Sequence, residues 1–149
     1  MATVARSRTV PAPPESVWRV VSDPHRLPAW WPLVQRVEDA SPQAWTKVLT
    51  SPKGRAVRAD YTLIDSEPEN RLVWRQELEE TPFERYMSES TTEIDLEPVV
   101  GGSTEVRLTA RMRLRGFARL GSLQLRRATA RRLESALDGL EAVVAPEEG

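Results

Sequence analysis

The last third of the chain restricts what the rest can be. From Arg119 onward, apolar residues recur at helical spacing, with Arg and Glu on the opposite side: Leu120, Leu123, Ala130, Leu133, Leu137, Leu140 and Val144. The stripe runs along roughly 26 residues, about 39 Å at 1.5 Å per residue. Pro146 and the acidic Glu147-Glu148 follow it. A helix of that length must bury its stripe, and a large dry surface has to come from the preceding segments.

Those segments are mostly strands. Ala2 to Val10 reads as a first strand, with Thr3, Ala5, Ser7 and Thr9 alternating against Val4, Arg6, Arg8 and Val10. Pro11, Pro13 and Pro14 stop it. Pro14-Glu15-Ser16 then opens a short helix, with proline in its first turn and Glu15 near the positive end of its dipole. Val17, Trp18, Val20 and Val21 give that helix a core face, and Ser22-Asp23-Pro24 ends it. A second helical turn runs from His25 to Trp31 between Pro24 and Pro32.

Period-two runs follow at about 34–40, 44–51, 55–65, 71–80, 85–97 and 103–115. Turn signals separate them: Ser41-Pro42, Pro52-Lys53-Gly54, Pro68-Glu69-Asn70, Thr81-Pro82 and Gly101-Gly102. The last strand is the clearest, with Val106, Leu108, Ala110, Met112 and Leu114 dry and Glu105, Arg107, Thr109, Arg111 and Arg113 wet. Short connections imply an antiparallel meander. The expected fold is α+β. A curved antiparallel sheet of about seven strands wraps a long C-terminal helix, and two short helices after the first strand plug one end. The gap between sheet and helix is a natural ligand cavity. Residues 1–149 form one domain in this reading, since the chain is too short for two ordinary cores.

Composition narrows the function classes. No apolar run approaches the ~20 residues of a membrane span, and Met1 to Arg8 lacks the apolar stretch of a secretory signal. Without cysteine there is no disulfide or thiolate metal site, and the plain expectation is a cytoplasmic protein. Net charge is −1, which gives no footprint for nucleic acid. The charge is uneven, however: nine arginines and no acid lie between Arg107 and Arg132, after an acid-rich stretch from Asp60 to Glu105. Either neighbouring elements present complementary solvated faces, or the basic face meets an acidic partner or an anionic ligand.

Candidate site residues come from the strand faces. Trp30 and Trp31 are adjacent between prolines, so one packs while the other lines the cavity mouth. Trp74 shares a face with Leu72, Gln76 and Leu78, and Trp74 and Gln76 enter the cavity if that face is concave. On the run 85–97, Ile94 and Leu96 share a face with Tyr86, Ser88, Ser90 and Thr92, which would put four hydroxyls on one wall. Tyr61, with Val57, Ala59 and Leu63, would add a fifth. A one-residue bulge would reverse the assignment. Met112 and Leu137 complete the candidate lining.

Catalytic machinery is thin. His25, the one histidine, lies at a surface helix start, and no phosphate loop, nucleophile elbow or catalytic triad is visible. No cofactor or metal is expected. Inverting a strand register would make Glu77, Glu89 and Arg111 acid–base candidates.

The segments Val10-Pro11-Ala12-Pro13-Pro14-Glu15-Ser16-Val17-Trp18, Ser22-Asp23-Pro24 and Leu27-Pro28-Ala29-Trp30-Trp31-Pro32 resemble the START/Bet v 1-like (SRPBCC) superfamily. The closer likeness is to its bacterial polyketide cyclase/dehydrase and lipid-transport branch. Arg71-Leu72-Val73-Trp74 and the Gly101-Gly102 turn fit the same pattern, so the resemblance spans nearly the whole chain. It implies the helix-grip fold and a small apolar ligand, polyketide-like or lipid-like. It leaves open a carrier, a cyclase, aromatase or dehydratase, and a protein-interaction module using the Arg-rich face. A substrate delivered on an acidic carrier protein would give that face a purpose; the oligomeric state is unspecified.

Overall fold

The computed structural model describes residues 1–51 and 53–145, so Pro52, Pro146 and Glu147-Glu148 lie outside the described residues. The seven strands are β1 (Ala2–Val10), β2 (Val34–Glu38), β3 (Ala44–Thr50), β4 (Ala56–Glu67), β5 (Arg71–Gln76), β6 (Met87–Val99) and β7 (Ser103–Leu114). They form one antiparallel sheet in the order β1-β7-β6-β5-β4-β3-β2. Only β1 pairs out of sequence, because its partner must be reached after the meander is complete. Between β1 and β2 lie α1 (Pro14–Val21), a 3-10 turn at Pro24–Arg26 and α2 (Leu27–Trp30). The long helix α3 spans Ser122–Val144 after a 3-10 turn at Gly116–Gly121.

Alternation builds the core as expected on β7: Val106, Leu108, Ala110, Met112 and Leu114 are all buried. Val106, Leu108 and Ala110 share one core with Leu133, Ala136, Leu137 and Leu140 of α3 and Val17, Val20 and Val21 of α1, while Met112 and Leu114 form a smaller cluster with Ala2. Trp18, expected in the core, is only partly buried and packs at its margin. Ion pairs fasten α3 across the edge of the sheet. Arg8 of β1 reaches Glu134 at 2.9 Å and Asp138, and Arg6 lies 3.6 Å from Glu134.

Three expectations need correction. The helical stripe does not begin at Leu120: that residue sits in the 3-10 turn and is 85% exposed, and Leu123 is exposed too. Leu125, Thr129 and Leu133 carry the inward phase instead, a stripe whose threonine disguised it. The run 71–80 ends at Gln76, because the chain turns through Glu80 (φ 62°) into a 3-10 turn at Pro82–Arg85. Strand β6 consequently starts at Met87, leaving Tyr86 off the sheet.

One close approach sets the position of α2. A Cβ at Gly139 of α3 would meet the carbonyl oxygen of Trp30 and stand 2.9 Å from its Cα. Backbone cannot yield as a flexible side chain does. Helix propensity alone would make Gly139→Ala stabilising by about 1 kcal/mol. Overpacking here should reverse the sign, for a net loss of about 1–2 kcal/mol. Thermal denaturation of the variant measures it; a raised Tm would show that α2 gives way freely.

Candidate functional site

A cavity of about 390 Å3 opens between the sheet and the N-terminal half of α3. Its floor is the concave face of β3 to β7. Tyr61 pairs with Gln76 across β4 and β5, Thr92 lies beside Ala110, and Ser90 beside Met112. Leu125, Thr129, Arg132 and Leu133 form the roof. The rim carries Pro32 and Leu33 after α2, Thr50 and Ser51 at the end of β3, and Phe83 in the 3-10 turn before β6. Leu33 holds a left-handed backbone (φ 66°), an uncommon conformation for a non-glycine residue, and is largely exposed there.

Of the candidate residues, Trp31, Tyr61, Gln76, Ser90, Thr92 and Met112 line this cavity. The others are placed elsewhere. Trp30 is buried against α3, and Leu137 lies wholly in the core. Trp74 is 1% exposed and sits behind the cavity wall. Tyr86 is 56% exposed at the end of the 3-10 turn, and Ser88 is exposed in a bulge between Met87 and Glu89. The bulge inserts one residue against Leu114 and Arg113 of β7, so Met87, not Ser88, reaches the cavity. The expected wall of four hydroxyls on β6 therefore shrinks to Ser90 and Thr92, with Thr91 beside them. Glu77, Glu89 and Arg111 face away: Glu77 accepts from Thr62, Arg111 donates to Glu93, and Glu89 pairs with Arg113.

The residue that sequence reasoning missed is Lys47. It stands on the inward face of β3 between Trp45 and Leu49, is 2% exposed, and lines the cavity. Its ammonium lies over three rings, 4.5 Å from the centroid of Trp31, 4.3 Å from Tyr61 and 4.8 Å from Trp74. Burial pushes its pKa down to about 7, helped by the nearby charge of Arg132. Burial pushes the Tyr61 hydroxyl the other way, up to about 12. The signal was present in the sequence: alternation puts Lys47 on the face of Trp45 and Leu49, in a chain with only one other lysine, Lys53.

The rings form a continuous aromatic wall. Trp30, Trp31, Trp74 and Trp45 meet edge to face in sequence at 5.3–5.7 Å, and Trp45 stacks on Tyr61 at 6.3 Å. Behind it lies a second cavity of about 260 Å3, lined by Trp18, Leu27, Trp45, Leu63, Leu72 and Trp74 among others. The indole N–H groups of Trp30, Trp45 and Trp74 are buried without an acceptor among the described residues.

Outside the cavity, the arginines of β7 are partly neutralised by acids of β6, as with Arg111–Glu93 and Arg113–Glu89. Arg126, Arg127 and Arg131 of α3 join Arg6 around an open groove beside β1. Among the described residues no cluster of three or more His, Asp or Glu could hold a metal, and no helix is long and apolar enough to cross a membrane.

Comparison with known proteins bears on this geometry. A family model described as polyketide cyclase/dehydrase and lipid transport matches residues 1–145. No curated protein matches the sequence. Among solved structures, a START superfamily protein from Mycobacterium smegmatis superposes with a TM-score of 0.74 at 14% identity, over 95% of this chain and 96% of that one. The Zhui aromatase/cyclase from Streptomyces gives 0.78 at 19% identity, over 96% and 93%. The di-domain ARO/CYC protein BexL gives 0.80 at 23% identity, covering 99% of this chain but 48% of its own length. These likenesses establish the helix-grip fold: a curved seven-stranded antiparallel sheet around a long C-terminal helix.

Proposed function

The chain belongs to the polyketide cyclase/dehydrase and lipid-transport family, and we propose that it acts as one ligand-binding domain, enclosing an apolar or aromatic small molecule, polyketide-like or lipid-like, in the cavity between sheet and α3. The observation that carries this reading is the lining itself. About 390 Å3 is bounded by apolar side chains such as Trp31, Leu49, Phe83, Met112 and Leu133, with polar groups at fixed positions among them, chiefly Lys47, Tyr61, Gln76, Ser90, Thr92, Thr129 and Arg132. That combination suits a site in which apolar area gives affinity and placed polar contacts give orientation. The reading sets binding in the cytoplasm, with no metal or cofactor taking part.

Native mass spectrometry of freshly purified protein, beside a denatured sample, tests it. A discrete bound mass is expected in the wild type. Ala110→Phe, which fills the floor, should lose that mass while keeping its circular dichroism. Retention of the same mass by the blocked variant would overturn the assignment of the cavity.

A second reading is a cyclase, aromatase or dehydratase working in the same cavity, and Tyr61 favours it. A hydroxyl held protonated to about 12 can donate to a substrate carbonyl across the whole neutral range. Turnover of a poly-β-keto substrate that falls at least about tenfold in Tyr61→Phe, with binding intact, would support it. The groove of Arg6, Arg126, Arg127 and Arg131 suits an acidic carrier protein in that case, and salt-sensitive association would report such docking.

A further inference from the structure

Two positive side chains border the cavity and no negative one does. Lys47 projects from β3 and Arg132 from α3, while the described lining holds no Asp or Glu. Among the described residues, neither cation takes part in the ion pairs that neutralise so many of the chain's other basic side chains. Glu134, Asp138 and Glu141 of the same helix all turn to Arg8. Among the described residues no acid pairs with Lys47 inside the cavity, and Arg132 has solvent on its open side.

An ammonium out of water needs either a counter-ion or a polarisable surround. The faces of Trp31, Tyr61 and Trp74 supply the second in part, at 4.3–4.8 Å. Arg132, exposed to solvent, adds a second positive charge to the same space from the other side. A chain that needed only to fill this position on β3 would do so with an apolar residue, as Trp45 and Leu49 do on either side. Ring faces also accept a flat apolar ligand body, which leaves the cationic end of the cavity to specify the head group.

From this placement we propose that the ligand is an acid: an apolar or aromatic body carrying a carboxylate, seated so that the carboxylate lies between Lys47 Nζ and the Arg132 guanidinium. The proposal rests on the cavity-binding reading above and names the substrate class that reading leaves open. The groups facing Lys47 are Trp31 after α2, Tyr61 of β4, Trp74 of β5 and Arg132 of α3; Val37 is its strand partner on β2. Of these only Tyr61 and Arg132 are ionisable, and neither supplies a negative charge at neutral pH. An arriving carboxylate therefore stabilises the protonated lysine, and binding near neutrality draws a proton into the complex.

Calorimetric titration of the full chain with 2-naphthoate and with neutral 2-naphthamide tests this. The two share a body and differ in charge. The wild type should bind the acid about tenfold or more tightly than the amide. Only the acid should show a binding heat that changes with the ionisation heat of the buffer. Lys47→Met should abolish the preference, and the exposed Arg132→Gln, which threatens no packing, should reduce it. Equal affinity for both probes, or a preference that survives Lys47→Met, would overturn the acid proposal and leave the apolar cavity standing. Binding of neither probe would overturn both.

Discussion

Between pH 7 and pH 10 the folded protein is expected to gain about 2–4 kcal/mol of stability, and Lys47→Met should show no such rise. The ordinary lysine value of 10.5 holds in the unfolded chain, whereas burial lowers it to about 7 in the fold. In that window the unfolded state carries a proton that the native state does not, so raising the pH favours the native state. Below about 7 both states are protonated, and the fold carries the whole cost of an enclosed ammonium. A displacement of this size corresponds to at most about 5 kcal/mol, and the three ring faces reduce it. Tyr61 limits the window from above. Its native hydroxyl holds its proton to about 12 against an ordinary 10.0, so above pH 10 the unfolded chain ionises first and stability declines. Urea denaturation of both proteins from about pH 6 to pH 10 decides the matter. At pH 7 the methionine variant should be the more stable by a similar amount, since it keeps the volume and sheds the charge. Parallel pH profiles would mean that water or a rotamer change relieves Lys47 in the native state.

The expected stability gain bears on function. A residue whose removal strengthens the fold and weakens acid binding occupies the place where stability and task diverge. The adjoining residues show how much the sequence could reveal of this. The alternation of β7 and the helical stripe through Leu133, Leu137 and Leu140 declare their buried faces because each follows a single period. Strand β6 does not: the bulge after Met87 turns Ser88 outward and leaves Ser90 and Thr92 inward, and no composition rule announces a bulge. Lys47 escaped for a different reason. A basic residue in a strand is ordinarily solvated, and only its place between Trp45 and Leu49 on one face argues for burial. Arg132 follows Arg131 on a helix rich in arginine, and only tertiary structure separates the one facing the cavity from its neighbours in the outer groove.

Replacing Trp74 by alanine should cost about 3–5 kcal/mol, more than any other change considered for this protein. The ring is 1% exposed and meets Trp31 and Trp45 edge-on at 5.7 Å each. It lines the 260 Å3 space on one side, while Lys47 and Trp31, which line the larger cavity, lie against it on the other. Its loss joins two existing spaces, and a wall already open on both sides has little material with which to collapse. That places the cost toward the upper end. One contribution opposes it: the Trp74 indole N–H is buried without an acceptor among the described residues, and deleting it removes a penalty of about 1–3 kcal/mol. Trp74→Phe separates the two effects, since it keeps a ring in the wall and discards the donor, and should cost no more than about 1–2 kcal/mol. Urea denaturation at constant pH measures both variants; a loss below about 1 kcal/mol for alanine would show that Trp74 is not the partition. The alanine variant also takes one ring face from Lys47. The stabilisation gained from Lys47→Met should therefore be larger in that background than in the wild type, and the two substitutions should fail to add. Additivity would place the lysine's support in Trp31 and Tyr61 alone.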